Sequence, residues 1–270
     1  MSGVLSGKSV DLLYWVIAVS LAVYGFLYKM IISGYRDDFK DEVIKKIIKF
    51  INPSLKYSKT GSISKEEFIW SNIFQKHIDR FSGNDLVQGQ IGKTVIKFSD
   101  ILAEYKTRSK NRTYWHTIFK EQFFIADLNK EFNRHMLVLP DSAQKLFGTL
   151  GQFLQEHNPT RDKLIKMDNP AFEKEFVVYA DDEISSRYIL THSMMERILK
   201  YKQKTKRDIF LSFRNSKIFV AIAFNKDLFE PNPFARLNDF NTIKEYYESL
   251  ALVLDIVEDL KLNRRIWSKD

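Results

Sequence analysis

Residues 92–107 and 114–130 read GKTVIKFSDILAEYKT and YWHTIFKEQFFIADLNK, two long stretches rich in β-branched and aromatic residues. Together with HMLVLPD at 135–141, they predict strands separated by polar turns. Farther along, IFLSF at 209–213 and KIFVAIAF at 217–224 flank a three-residue turn and predict a hairpin. Because the strands come in runs, we expect an α+β domain with a mainly antiparallel sheet and packed helices. A pleckstrin-homology-like barrel with a long final helix is the alternative arrangement.

Several segments around these strands have helical patterns. Residues 34–51 place apolar side chains on one side and lysines on the other. Residues 64–81 begin with the capping box Ser64-Lys65-Glu66-Glu67, and we expect Ser82-Gly83-Asn84-Asp85 to break that helix. The remaining predicted helices span 142–155, 184–202 and 242–260, and a further strand is expected at 176–179.

An uncharged apolar run precedes the domain. Residues 12–28 read LLYWVIAVSLAVYGFLY. With Lys29 and the apolar residues 30–32, the run reaches about 20 residues, enough to span a bilayer. A cleaved signal peptide is the competing interpretation, but its apolar region is usually about 7–15 residues long. The sequence therefore predicts an N-terminal transmembrane helix.

Flanking charge predicts the orientation of this helix. Only Lys8 precedes it, whereas Lys29, Arg36, Lys40, Lys45, Lys46 and Lys49 follow it. Basic flanks stay in the cytoplasm, so we expect a single-pass membrane protein with a cytoplasmic C-terminal domain. The absence of cysteine suits a reducing compartment. The predicted organisation is an anchor at 1–33, a juxtamembrane basic helix and connector at 34–63, and the α+β domain at 64–270.

The net charge of +8 favours an anionic partner. Two basic clusters are candidate lipid- or partner-binding sites, and a third lies near the C-terminus. They comprise Lys106, Arg108, Lys110 and Arg112 with Trp115; then Lys200, Lys202, Lys204, Lys206 and Arg207; and finally Arg264, Arg265, Trp267 and Lys269. For a tethered domain, lipid headgroups are nearer than nucleic acid, which is not the expected partner. Solvated lysines on loops are the alternative interpretation.

The tetrapeptide Tyr179-Ala180-Asp181-Asp182 resembles the metal-binding box of reverse transcriptases, where adjacent carboxylates hold divalent ions. Here the acids run directly into a predicted helix that begins near Ile184. Acidic side chains in a first helical turn complement the helix dipole. We therefore interpret the box as a strand-to-helix turn, and we expect no metal or other cofactor.

Two further motifs fall short of an enzyme signature. Gly92-Lys93-Thr94 resembles the end of a phosphate-binding loop, but Val87 stands where glycine is required, and a strand follows instead of a helix. His192 and Glu196 lie four residues apart on a predicted helix, a spacing that lets two side chains share a metal. No motif supports an enzyme. The alternative function is a membrane-tethered enzyme with an unrecognised polar site around Asp181, Asp182, His192 and Glu196.

Several segments resemble a known family. They are INPSLKYS (51–58), DLVQGQIGKTVIKFSDILAEYKT (85–107), HTIFKEQFFIADLNKEF (116–132), MLVLPD (136–141), FEKEFVVYADD (172–182), RYILTHSMMERIL (187–199) and LVLDIVEDLKLNRRIW (252–267). Across roughly residues 40–268 the chain is similar to the bacterial membrane-protein family called domain of unknown function 3137 (DUF3137). The resemblance implies a membrane anchor, no assigned activity and no catalytic residues to carry over. Members often have two spans, where this chain has one, and a LemA-like membrane protein is an implied partner.

The leading hypothesis combines the anchor, the charge and the missing enzyme signature. We expect a membrane-anchored scaffold or sensor whose cytoplasmic domain binds a protein partner or anionic lipid headgroups.

Overall fold

The computed structural model describes residues 4–110, 112–128, 131–141, 163–222, 229–230 and 240–260. Within these ranges the helices are α1 (Val4–Phe39), α2 (Lys45–Ile51), α3 (Lys65–Trp70), α4 (Pro170–Glu173), α5 (Glu183–Ile189), α6 (His192–Thr205), α7 (Phe240–Leu254) and α8 (Ile256–Asp259). A short π-helix, Lys40–Ile44, joins α1 to α2. The strands are β1 (Lys56–Ser58), β2 (Arg80–Ile91), β3 (Thr94–Ser109), β4 (Arg112–Asp127), β5 (His135–Pro140), β6 (Lys163–Ile165), β7 (Phe176–Ala180), β8 (Ile209–Arg214) and β9 (Lys217–Ile222).

The nine described strands form one sheet in the order β1-β2-β3-β4-β9-β8-β5-β7-β6. Every neighbouring pair is antiparallel, which confirms the predicted sheet and the β8–β9 hairpin. The barrel alternative is not confirmed. In the part of the chain that the structure describes, β1 and β6 lie at opposite ends of the sheet and do not pair.

Both faces of the sheet are buried, because side chains alternate along each strand. In β4, Phe124 and Ala126 enter one core, and Phe123 and Ile125 enter the other. Helices α2, α6 and α7 cover the first face. The second face is covered by apolar side chains of the segment that contains α3, namely Ile63, Phe68, Ile73, Phe74 and Ile78.

The helix predicted at 64–81 is shorter than expected. Its capping box forms as predicted, with the Ser64 hydroxyl accepting from the Glu67 amide. The helix nevertheless ends at Trp70, and Asn72 adopts a left-handed φ of 58°. The expected break at 82–85 is wrong, since these residues belong to β2, where pairing with β3 and a register shift between Asn84 and Val87 accommodate them. The predicted helix at 142–155 lies outside the described residues.

Two of the predicted helices are divided. The segment 184–202 forms α5 and α6, because Thr191 starts a new helix by accepting a hydrogen bond from the Met194 amide at 3.3 Å. The final helix is interrupted at Asp255, between α7 and α8. Both segments are helical as predicted, and only the boundaries differ.

The N-terminal helix is long and apolar. By length and composition, the stretch from Tyr14 onward is able to cross a membrane, and its side chains between residues 14 and 30 are exposed. Farther along the same helix, Phe39, Ile44 and Ile48 are buried with the sheet. The domain boundaries at 33/34 and 63/64 remain predictions, and the shared core shows that folded packing begins at Phe39.

Candidate functional site

A buried ionic joint connects the end of α1 to the sheet. The Lys40 ammonium lies 2.7 Å from Asp85 and 3.1 Å from Glu230. The side chains of Lys40 and Asp85 are 7% and 0% exposed. The Tyr57 hydroxyl donates to Asp85, and the Asn84 amide donates to the same carboxylate at 2.5 Å. Asp85 therefore has several polar partners, as a buried carboxylate requires.

The electrostatics of the joint favour charged lysine and neutral tyrosine. Burial by itself lowers the pKa of Lys40, but the hydrogen bonds and charges of Asp85 and Glu230 outweigh burial and raise the pKa. Burial and then the Asp85 carboxylate raise the pKa of the Tyr57 hydroxyl. A protonated Tyr57 remains a hydrogen-bond donor to Asp85.

Further contacts surround the joint. Arg36 pairs with Glu230 at 2.8 Å, and Lys59 pairs with Asp41 at 2.8 Å. The Tyr246 hydroxyl of α7 donates to the Glu230 carbonyl at 2.8 Å. These contacts tie α1 to several separate parts of the chain, so the helix enters the domain at a defined position.

The direction of β3 relative to α1 follows from the contacts along β2. Lys40, at the start of the π-helix, meets Asp85, whereas Ser54, which follows α2, donates to the Gln90 carbonyl. Helices α1 and α2, which the π-helix joins without a break, therefore run in the same sense as β2. Since β3 is antiparallel to β2, it runs back toward the N-terminal part of α1. The turn between β3 and β4 lies on the side of the domain from which α1 emerges.

The outer part of the β3–β4 hairpin projects from the sheet as an arm, defined here as residues 105–116. Strand β2 begins at Arg80, opposite Glu104, so it does not pair with the part of β3 that follows Glu104. On the other side, β9 pairs with residues 122–127 of β4. From Lys106 to Thr117 the described residues are exposed on both faces. The arm extends about 30 Å beyond the level of the joint, since nine residues at ~3.3 Å each separate Asp100 from Ser109.

The arm contains the first predicted basic cluster. Its sequence has four cations, Lys106, Arg108, Lys110 and Arg112, and no carboxylate. Lys106 lies 3.4 Å from Asp79, whereas no ion pair of the other three cations with a described residue is observed. The Arg80 guanidinium lies 3.8 Å from the centre of the Trp115 ring, and this ring is 41% exposed. The structure therefore brings this cluster together on one exposed ribbon.

The second predicted cluster lies at the end of α6 and is surrounded by acids. Lys202 is 2.6 Å from Glu175, and Lys204 is 2.9 Å from Asp255. The Lys202 ammonium also lies 5.0 Å from the centre of the Phe176 ring. The other members are Lys200, Lys206 and Arg207, of which Lys206 forms the left-handed cap of α6. The third cluster, Arg264, Arg265, Trp267 and Lys269, lies outside the described residues.

The acidic box forms a strand-to-helix turn, as predicted. The Asp182 carboxylate accepts from the Ser185 amide at 2.8 Å and caps α5. The hydrogen bond from the Ser185 side chain, and then that from the Ser185 amide, lower the pKa of Asp182. Asp181 accepts from the His135 amide at 3.3 Å. Both acids therefore have structural partners, Asp182 within its own turn and Asp181 across 46 residues of the chain.

The other motif residues have structural surroundings as well. His192 and Glu196 lie 3.4 Å apart on the exposed side of α6. Across the described part of the chain, no three His, Asp or Glu side chains are placed to hold a metal. Gly92, with φ of 58°, and Lys93 form the β2–β3 turn, and Thr94 begins β3.

Sequence reasoning missed the joint. Residues 82–85 have the composition of a turn but lie in a strand with a bulge. By its position in the sequence, Lys40 is one of the basic residues that flank the apolar run, and its pairing with Asp85 cannot be predicted from that position. One feature of the sequence points to the joint: Lys40 lies beside Phe39 and close to Ile44 on the apolar side of a helix. A lysine among residues that become buried needs an acidic partner.

Comparisons with known proteins give one family and one structure. The family model described as "Protein of unknown function (DUF3137)" matches residues 117–262. A search of the curated proteins finds no match. Among solved structures, the chain is similar to the mycobacterial trehalose monomycolate transport factor A, with 10% identity and a TM-score of 0.42. That similarity covers 81% of this chain and 96% of the other.

Proposed function

This chain belongs to the DUF3137 family of proteins of unknown function, and from that premise we propose that it is a membrane-anchored scaffold whose arm binds anionic lipid headgroups. In this proposal α1 spans the bacterial inner membrane once, and the α+β domain lies in the cytoplasm. The apolar length of α1 and its basic C-terminal flank support that placement.

The observation that carries the proposal is the direction of the arm. It extends back along α1, toward the bilayer that α1 would enter. Lys40, the helix residue of the joint, is seven residues from the predicted end of the span at residue 33, a rise of about 10 Å. An arm that extends ~30 Å in the same sense reaches the headgroup layer even after the strands twist away from the helix.

The composition of the arm suits a headgroup layer. Each lysine or arginine near an anionic surface contributes about 1 kcal/mol to binding, and the arm carries four such residues. Tyr114 and Trp115 are exposed aromatic side chains of the type that favours the membrane interface. The joint supports the same function, because it holds the domain at a fixed distance from the anchor.

The absence of cysteine permits a direct test with single labels. Ser109→Cys places a fluorophore on the arm, and Lys93→Cys places one at the opposite end of β3. The full chain is reconstituted in nanodiscs that contain a headgroup-level quencher, with or without phosphatidylglycerol. We expect quenching of the Ser109 label in the anionic discs, weakened by high salt, and little quenching of the Lys93 label.

Two outcomes contradict the proposal. Equal quenching of the two labels would show that the arm is no closer to the lipid than the opposite end of β3. Quenching of the Ser109 label that is the same with and without phosphatidylglycerol would show that electrostatic attraction does not bring the arm to the membrane. The Lys93→Cys chain also tests orientation. Modification of that cysteine in intact cells by a membrane-impermeant thiol reagent would place the domain outside the cytoplasm.

A further inference from the structure

A basic groove lies on the sheet face that is covered by residues 63–78. The groove has a volume of about 770 Å³ and is bordered by the segment after α3 and by the ends of β5, β7 and β8. Its lining includes four cations and one carboxylate, namely Lys65, Lys76, Arg134, Arg214 and Asp181. The formal charge of this set is +3, from four positive charges and one negative. Such a surface attracts anions.

Two of the cations are positioned by neutral groups. The Arg214 guanidinium donates to the Trp70 carbonyl at 3.0 Å and lies 5.2 Å from the centre of the Trp70 ring. The Lys65 ammonium donates to the Ile78 carbonyl at 3.0 Å. These contacts restrict both side chains without cancelling their charge, which prepares them to bind carboxylates.

The cations are spread along the groove. Lys76 lies 4.8 Å from the centre of the Tyr105 ring on β3, whereas Arg134 immediately precedes β5. Strands β3 and β5 are separated by β4, β9 and β8, so four strand spacings span about 19 Å. The lining also includes the amide side chains of Asn72, Gln75 and Asn133. Distributed charge with interspersed amides suits an extended ligand better than a single phosphate.

We propose that this groove binds an extended acidic peptide segment of a partner protein. Carboxylates of the peptide pair with the arginines and lysines, and its backbone groups bond to the carboxamides. Arg214 ends β8, level with Asp127 on β4 and about 40 Å along that strand from Trp115. The Arg214 end of the groove is therefore remote from the tip of the arm, whereas Lys76 adjoins Tyr105 at the base of the arm. This inference does not rest on lipid contact by the arm.

Fluorescence anisotropy provides the test, with the full chain in neutral nanodiscs. The probe is a fluorescein-labelled ten-residue glutamate peptide, and a glutamine peptide of equal length is the comparison. We expect saturable binding of the glutamate peptide only. Arg134→Gln and Arg214→Gln should each raise its Kd about tenfold, since each removes charge-assisted hydrogen bonds. Asp181→Asn should lower the Kd, because among the described residues that line the groove Asp181 alone carries a carboxylate.

Matched controls separate this site from other basic surfaces. Replacing Arg108, Lys110 and Arg112 with glutamine should leave peptide binding unchanged, and a loss there would assign the peptide to the arm instead. Arg134 is exposed, so its variant tests the groove even if Arg214→Gln destabilises the fold. An unchanged Kd in Arg134→Gln, or pyrophosphate binding tighter than the peptide, would overturn the proposal.

Discussion

The joint and the arm are both rich in charge, and they differ in what surrounds those charges. In the joint, Lys40 is enclosed with Asp85 and Glu230 within 3.1 Å. In the arm, Arg108 and Arg112 extend into solvent. A buried charge must be paired to be tolerated, whereas an exposed charge stays hydrated until a partner replaces its water. The charges of the joint therefore hold α1 in a fixed position on the domain, and the charges of the arm are suited to binding a partner.

The end of α6 lies between these two extremes. Its lysines are partly exposed, and two of them face carboxylates of other elements. If burial and pairing determine what a charge does, neutralising the three regions should produce a graded loss of stability. The following variants test that order in the full chain. The domain is unfolded with urea, and unfolding is monitored by intrinsic fluorescence.

Disrupting the joint should have the largest effect. Lys40→Met leaves the Asp85 carboxylate buried without its closest cation, and we expect a loss of about 3–5 kcal/mol in the free energy of unfolding. The double variant Lys40→Met, Asp85→Asn should recover part of this loss, because no buried charge is left alone at Asp85. If the double variant is less stable than Lys40→Met, the ionic account of the joint is wrong.

The joint also predicts a pH dependence. The folded-state pKa of Lys40 is raised above its ordinary value of 10.5. Its contribution is then fully present below that ordinary value and is lost as the pH rises through the folded-state pKa. The stability difference between wild type and Lys40→Met should stay constant across neutral pH and shrink only in strongly alkaline solution.

Neutralising the end of α6 should have an intermediate effect. Lys202→Gln combined with Lys204→Gln removes three partly exposed ion pairs, and each such pair contributes about 0.2–1 kcal/mol. Lys202 pairs with Glu175 and Asp208, and Lys204 pairs with Asp255. Lys200→Gln is the control, because the described residues show no ion pair for it. A control that costs as much as the double variant would mean that local pairing does not explain this cluster.

Neutralising the arm should have the smallest effect on stability and the clearest effect on binding. Arg108→Gln, Lys110→Gln and Arg112→Gln leave the Lys106–Asp79 contact intact, so the free energy of unfolding should change by no more than about 0.5 kcal/mol. In the same chain the Ser109 label should lose its quenching in anionic nanodiscs. If the quenching is retained, the aromatic residues of the arm or another surface of the domain must bring the label to the membrane.

Much of the fold is visible in local sequence patterns. The β-branched and aromatic residues in 92–107 and 114–130 predict the strands β3 and β4, and Ser64 with Glu67 predicts the start of α3. The box at 179–182 is correctly interpreted from its neighbours, because an N-cap depends only on the next few residues. Residues 82–85 mislead for the same reason, since glycine, asparagine and aspartate favour turns. In the fold, pairing with β3 holds residues 82–84 in the strand, and Asp85 adopts a left-handed φ of 59° at the register shift.

The sequence by itself determined the apolar helix, six of the nine described strands, the caps at Ser64 and Asp182 and the excess of positive charge, because each depends on residues close together in the chain. Tertiary structure alone decided which cations are paired with acids far away in the sequence. Lys40 meets Asp85 across 45 residues and Lys204 meets Asp255 across 51, through helix packing that local patterns do not encode. It also decided that the arm points back along α1, since strand direction follows from register. The energy of an ion pair depends on the distance between its charges, and these charges come close together only when the sheet and its helices have packed.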